Sequence, residues 1–295
     1  MRTRPYTLAE VTSLHESALS RQSPEALAAA GADLGALAAA TALHHEQTGR
    51  LEQPKTEGLD SIENPAVRDS FEQTWDQVEH LFERISLLPP DPEQFDAAGV
   101  NFAHLAAEYE RMEDEGLAPE IVIAPQNLSL EEAKRLYADL SDDTTIPNNP
   151  LQRQSDGNGL YINDSVADAW DALVSSAPQS ADGTEPPHHL DSGGYAWTIR
   201  LIPDTTEPTD TDVDHTTNDA IHPTMSEYLT LQATSIQAGR TPIDGSTYTW
   251  LNGTFGDSNG RAPDGYWDSG RGQVSVVWRG VGYRDGDLGS RLPVW

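Results

Sequence analysis

The sequence predicts an α+β protein, with a helical N-terminal part followed by a part rich in strands and loops. Two observations predict it. The composition changes midway: residues 1–150 hold 18 Glu and 10 Asp, whereas residues 151–295 hold 3 Glu and 17 Asp. Six of the seven Trp also lie in the second half. Glu suits helices, while Asp, Gly, Thr and Trp suit turns and strands. The spacing of apolar residues changes as well, from steps of three and four before residue 116 to strict alternation near the C-terminus. The expected architecture is a helical bundle over 1–116 and a mixed domain with antiparallel strands over 117–295.

Each helix has a local cause. Ser23-Pro24 places an N-cap and a first-turn proline before the Ala-rich run 26–43. Asn64-Pro65 does the same for a second helix, in which Val67, Phe71, Trp75, Val78, Phe82 and Ile85 form one apolar stripe. Leu87-Leu88-Pro89-Pro90 ends it. A third helix is expected with Phe95, Phe102, Leu105, Tyr109 and Met112 on one face, stopped by Gly116. Three amphipathic helices with short links suggest an antiparallel bundle.

Beyond Glu120 the pattern changes. Ile121-Val122-Ile123 reads as a buried strand, and Ser129 with Glu132 as a capping box opening a helix to about Leu140. Leu160–Ile162 reads as a strand, Val166–Val174 as a helix and Tyr195–Ile202 as a strand. Residues 175–193 and 203–222 are polar loops. Thr224 and Glu227 form a second capping box, opening a helix through about Ala238.

The charge excludes several functions. The 295-residue chain has a net charge of -30, with 18 basic residues against 48 acidic ones. Such a surface repels phosphate backbones and anionic membranes, so neither nucleic acid nor membrane insertion is expected. An acidic surface with two lysines, Lys55 and Lys134, fits a high-salt cell as well as an ordinary acidic protein. Cysteine is absent, which removes disulfides, thiol nucleophiles and Cys-bound metals. The N-terminus carries no apolar signal-peptide core, so the expected location is the cytoplasm, or outside it by a non-classical route.

Two constellations invite a metal. His188, His189, His215 and His222 lie near Asp212, Asp214 and Asp219, but their spacing matches no defined site, and solvated or capping roles are favoured. His104 and Glu108 stand one helical turn apart and, with His44 or His80, would make a two-His-one-carboxylate iron site. The plainer reading places His104 beside the apolar face. No cofactor is expected. There is no phosphate loop and no nucleophile elbow.

The C-terminus is more informative. In Gln273–Arg279, Val274, Val276 and Trp278 alternate with Ser275, Val277 and Arg279. A period of two puts the first set inward and the second outward. Leu288, Leu292, Val294 and Trp295 then return to the core, where Arg291 is expected to tie the chain down through a buried ion pair.

The stretch PIDGSTYTWLNGTF, then GYW, then GQVSVVWRGVGYRDGDLGSRLPVW resembles the C-terminus of variable proteins diversified by retroelements. Gly289-Ser290-Arg291 matches their Gly-x-Arg close, although an aromatic residue before that Arg is commoner. The resemblance implies a C-type-lectin-like fold, similar to that of the formylglycine-generating enzymes, and a role in ligand binding rather than catalysis. It further implies adenine-directed mutagenesis, which cannot create Lys, Glu, Gln, Met or Trp. Between Ser258 and Ser290 the residues of that forbidden group are Trp267, Gln273 and Trp278, all at frame positions. Carried over position by position, the display residues are Ser258, Asn259, Tyr266, Asp268, Ser269, Ser275, Val277, Arg279, Gly280, Tyr283, Gly286 and Asp287. The implied partner is an unknown protein or surface ligand. Two other readings stand beside it. One is a non-haem iron enzyme related to sulfoxide synthases, using His104 and Glu108. The other is a structural or virion-type component with a lectin-like tip.

Overall fold

A computed structural model describes residues 58–151, 159–175, 190–192, 194–209, 211, 215 and 222–294. The Ala-rich run 26–43 and the histidines His44, His188 and His189 lie outside the described residues, as do Asp212, Asp214 and Asp219. The fold is α+β, with one antiparallel and one mixed sheet.

Helix α1 (Pro65–Glu83) starts where expected, because Asn64 Oδ1 accepts from the Ala66 amide at 3.0 Å and Pro65 takes the first turn. Its stripe of Val67, Phe71, Trp75, Val78 and Phe82 is buried. The expected third helix is instead two, α2 (Pro92–Ala97) and α3 (Phe102–Asp114). The reason is local. Gly99 sits at φ 96, which a continuous helix forbids, and Asn101 then caps a fresh start by accepting from the His104 amide at 3.0 Å. Aromatic residues join the pieces: Trp75 meets Phe95 and Phe102 edge-on at 5.9 and 5.8 Å.

Strand β1 (Pro119–Pro125) follows, then α4 (Leu130–Asp142) behind the Ser129–Glu132 capping box. After β2 (Leu160–Ile162) the expected single helix over 166–174 is again two short ones, α5 (Asp164–Asp168) and α6 (Trp170–Val174), broken at Ala169. Strand β3 (Leu190–Ser192) and β4 (Tyr195–Pro203) complete the antiparallel sheet, in the order β1-β4-β3.

Helix α7 (Met225–Gln237) is buried on every side from Met225 through Ile236. It has no solvated face, so its polar residues must find partners inside. Glu227, the last residue of its capping box, also pairs with Arg200 of β4 at 3.0 Å with both side chains buried. Tyr137 of α4 donates its hydroxyl to the Leu229 carbonyl at 2.8 Å, and Gln237 donates to the Gln77 carbonyl of α1 at 3.0 Å. The helices before residue 117 therefore share one core with the rest of the described chain and do not close on one another alone.

The second sheet holds β5 (Tyr248–Trp250), β6 (Arg261–Asp268), β7 (Gln273–Gly280) and β8 (Leu288–Gly289), in the order β2-β7-β6-β5-β8. The β7-β6-β5 core is antiparallel, whereas β2 and β8 join in parallel, so the sheet is mixed. Val294 exchanges two backbone hydrogen bonds with Leu201 and so fastens the C-terminus to the first sheet. Among the described residues no helix is long and apolar enough to cross a membrane.

Helix α7 approaches this sheet through one glycine. A Cβ on Gly265 would lie 2.3 Å from Tyr228 Cε1, and the Tyr228 ring is fully buried. Gly265→Ala is expected to destabilise the protein by about 1–3 kcal/mol through overpacking, read as a lower midpoint in urea unfolding.

Candidate functional site

Strand register decides which side chains share the outer face of the second sheet. Tyr266 lies opposite Ser275, Asp264 opposite Val277, and Ala262 opposite Arg279. Because side chains alternate along a strand, Gln273, Ser275, Val277 and Arg279 of β7 face the same way as Asp268, Tyr266, Asp264 and Ala262 of β6. Tyr161 of β2 stands beside Ser275, and Tyr248 of β5 contacts Tyr266 with ring centroids 4.9 Å apart. The other face carries Val274, Val276 and Trp267, which belong to the main core. The alternation expected from Gln273–Arg279 is present.

Burial along that outer face is uneven. Ser258, Ser269, Gly280, Tyr283, Gly286 and Asp287 are exposed, and Tyr266, Asp268, Val277 and Arg279 are half-buried. Ser275 was expected to face outward to solvent; it has the outward parity but is wholly buried. It is a small residue in an inner strand, flanked on both sides by tyrosines, so its neighbours cover it. Ser258 and Asn259 lie in a one-turn 3-10 helix, Asp257–Asn259, at the β7-end of the hairpin near Gly280, while Ser269 lies in the turn at the opposite end. The twelve positions thus occupy the middle of one sheet face and the loops at both of its ends.

Beneath this face the frame is anchored by Arg291, which is fully buried. Its Nη2 donates to Asp244 Oδ1 at 2.6 Å, its Nη1 to the Pro203 carbonyl at 2.8 Å, and its Nε to Thr249 Oγ1 at 3.1 Å. Asp244 Oδ2 accepts from Thr249 Oγ1 at 2.8 Å, and the Asp244 carbonyl accepts from the Trp267 amide at 3.0 Å. The buried ion pair expected of Arg291 is therefore present, with a hydrogen-bond partner on each of its three nitrogens. That matters because a buried pair is stable only when its remaining donors and acceptors are matched.

A second pair on the outer face is built differently. Asp264 is 0% exposed, yet neither carboxylate oxygen has a hydrogen-bond donor among the described residues. Arg279 Nε approaches Oδ2 to 3.3 Å. Burial pushes the Asp264 carboxyl up to about 6, and Arg279 only partly opposes this. The Arg279 guanidinium meanwhile lies 4.4 Å from the Tyr248 ring centre and 5.0 Å from that of Tyr283. The Tyr283 hydroxyl donates to Asp285 at 3.0 Å. Sequence reasoning missed Asp264, Tyr248 and Tyr161. Asp264 sits in Ala-Pro-Asp-Gly, which reads as a turn; its even spacing from Tyr266 and Asp268 was the available signal.

The other candidates are placed as follows. His215 and His222 are buried, not solvated; their rings stack on each other at 4.8 Å, and that of His215 meets Trp250 edge-on at 5.2 Å. His215 Nε2 meets the Leu251 carbonyl at 2.9 Å and His222 Nδ1 meets Ser290 Oγ at 2.8 Å. Burial, then His215, depresses the His222 imidazole to about 3, so it stays neutral. They serve as packing beside the Gly-x-Arg close. His104 is exposed and Glu108 accepts from Arg111 at 2.9 Å, while His80 contacts the Asp76 carbonyl. Among the described residues no three His, Asp or Glu side chains gather as a metal site. A polar cavity of about 270 Å³ between α1, α3 and β1 is lined by Gln73, Gln77, Tyr109, Glu120 and Arg240. There Arg240 is held by Glu120 and Asp204, each at 2.8 Å. No known protein family, curated protein or solved structure matches the chain.

The raised Asp264 carboxyl has a consequence for stability. A carboxyl whose folded pKa exceeds its unfolded value supports folding fully below that unfolded value, near 3.8, and the support is lost as pH rises through about 6. Asp264→Asn is therefore expected to be more stable than the parent at pH 8, by about 1–3 kcal/mol, with the difference shrinking towards zero at pH 4. Urea unfolding at the two pH values checks this.

Proposed function

We propose that this protein is a binding protein whose C-terminal sheet face and flanking loops recognise a variable ligand, most readily another protein. The observation that carries this reading is the segregation of residues. Eleven of the twelve positions drawn from the resemblance are exposed, half-buried or in an edge turn, while Val274, Val276 and Leu288 are buried and Arg291 is locked beneath them. A surface of this kind can change its side chains without changing its core.

The exposed chemistry suits recognition. Tyr161 and Tyr283 are the large hydrophobic residues exposed among those described, at 40% and 42%. Tyr and Arg make strong interface contacts at low entropic cost, and Ser, Gly, Asn and Asp between them adapt. A C-type-lectin-like domain diversified by a retroelement would use the face in this way. Ser275 belongs to the frame in this reading, since a bulky side chain there has no room.

A library randomised at Ser258, Ser269, Val277, Tyr283, Gly286 and Asp287 tests the reading. Panned against unrelated folded proteins, it is expected to yield folded binders with Kd of about 1 µM or tighter, each losing binding when those positions revert. Clones that fail to fold, or that bind through other surfaces, would contradict it. For the retroelement part, the locus should carry a near-identical copy of the segment coding for 256–295 beside a reverse transcriptase gene, differing mainly at adenines; a locus without that copy would contradict that part alone.

A further inference from the structure

We propose that the outer face carries a guanidinium cage, with Ala262 and Asp264 as floor, Tyr248 as wall and Tyr283 as roof, which the chain's own Arg279 fills and which an arginine side chain of a partner protein takes over when residue 279 is small. The geometry of the sheet builds it. Ala262 lies directly opposite Arg279 and is fully buried, packed with Trp250 and Leu288 and against the partly buried Tyr248. The Arg279 side chain reaches across β6 and brings its guanidinium 4.4 Å from the ring of Tyr248 on β5. Tyr283 covers it from the loop after β7, at 5.0 Å.

The floor is what makes the cage selective. Asp264 is a fully buried carboxylate opposed by one nitrogen at 3.3 Å, with no hydrogen bond to either oxygen among the described residues. A carboxylate held in that state favours a donor that can reach both oxygens at once, which a free guanidinium does and a tethered Arg279 Nε does not. Two tyrosine faces add cation–π attraction for a flat cation. Anions and neutral groups gain nothing from this set, and the net charge of -30 draws cations to the surface. That the cation comes from a partner protein rests on the display reading above; the cage itself rests on the geometry of these residues.

The test is chemical rescue. In Arg279→Ser, guanidinium chloride at about 10 mM, too dilute to denature, should raise the thermal midpoint in proportion to the logarithm of its concentration. Equimolar sodium chloride should not, and neither the parent protein, whose cage is full, nor Arg279→Ser/Asp264→Asn should respond. If Arg279→Ser does not fold in plain buffer, it is refolded with guanidinium or with equimolar sodium. Recovery with guanidinium alone supports the cage; failure with both overturns it. A folded Arg279→Ser that responds no more than the parent also overturns it, while leaving the library experiment free to succeed.

Discussion

The structure of the C-terminal half depends on a buried arginine. Arg291 reaches four stretches of chain at once: the end of β4 through the Pro203 carbonyl, the following loop through Thr205, strand β5 through Thr249, and the loop at Asp244. Asp244 in turn holds the Trp267 amide of β6. Burying a guanidinium and a carboxylate costs several kcal/mol each, and their attraction compensates only when the remaining hydrogen bonds are made. Here they are made. Removing one partner would strand the other, a loss of about 3–5 kcal/mol, against a total stability of about 5–15 kcal/mol. The pair therefore ties the second sheet to the end of β4, beside the backbone bonds between Val294 and Leu201.

The Asp264–Arg279 pair shows the opposite economy. It has the same charges, but Asp264 is under-satisfied and Arg279 is spread between two tyrosine rings. One pair serves the frame and is matched atom for atom. The other stands on the face assigned to recognition, where a residual electrostatic demand is useful because a ligand can meet it. Helix α7 links the two layers. Its Tyr228 packs on Gly265 of β6, while its Glu227 pairs with Arg200 of β4.

Much of the fold was legible in local chemistry. Caps at Asn64, Ser129 and Thr224 start helices where their side chains can accept from free amides, and each does so here. Alternation in β7 was legible for the same reason, since one strand carries its own period. What was not legible depended on neighbours. Gly99 looked like one residue in an amphipathic run until its positive φ divided the helix. Ser275 has outward parity, but β2 and β6 on either side bring tyrosines that cover it. His215 and His222 sit in an acidic, polar stretch yet stack on each other beside Trp250, a contact between distant parts of the chain. Asp264 needed the β6–β7 register before its relation to Arg279 could be seen. The sequence states which faces exist; which of them are covered is set by contacts far along the chain.

In a display protein of this kind the frame and the face are energetically separate. Native-state hydrogen exchange on a variant with Ser258, Ser269, Val277, Tyr283 and Asp287 replaced together measures this directly. The amides of Trp267 and Val274 report on the frame, because they lie in β6 and β7 and are held by the carbonyls of Asp244 and Gly159. Separation predicts protection of these amides within about 10-fold of the parent, a change of about 1.4 kcal/mol. A fall in their protection of about 1,000-fold or more would show that the face and the frame are one structure, and would contradict the account.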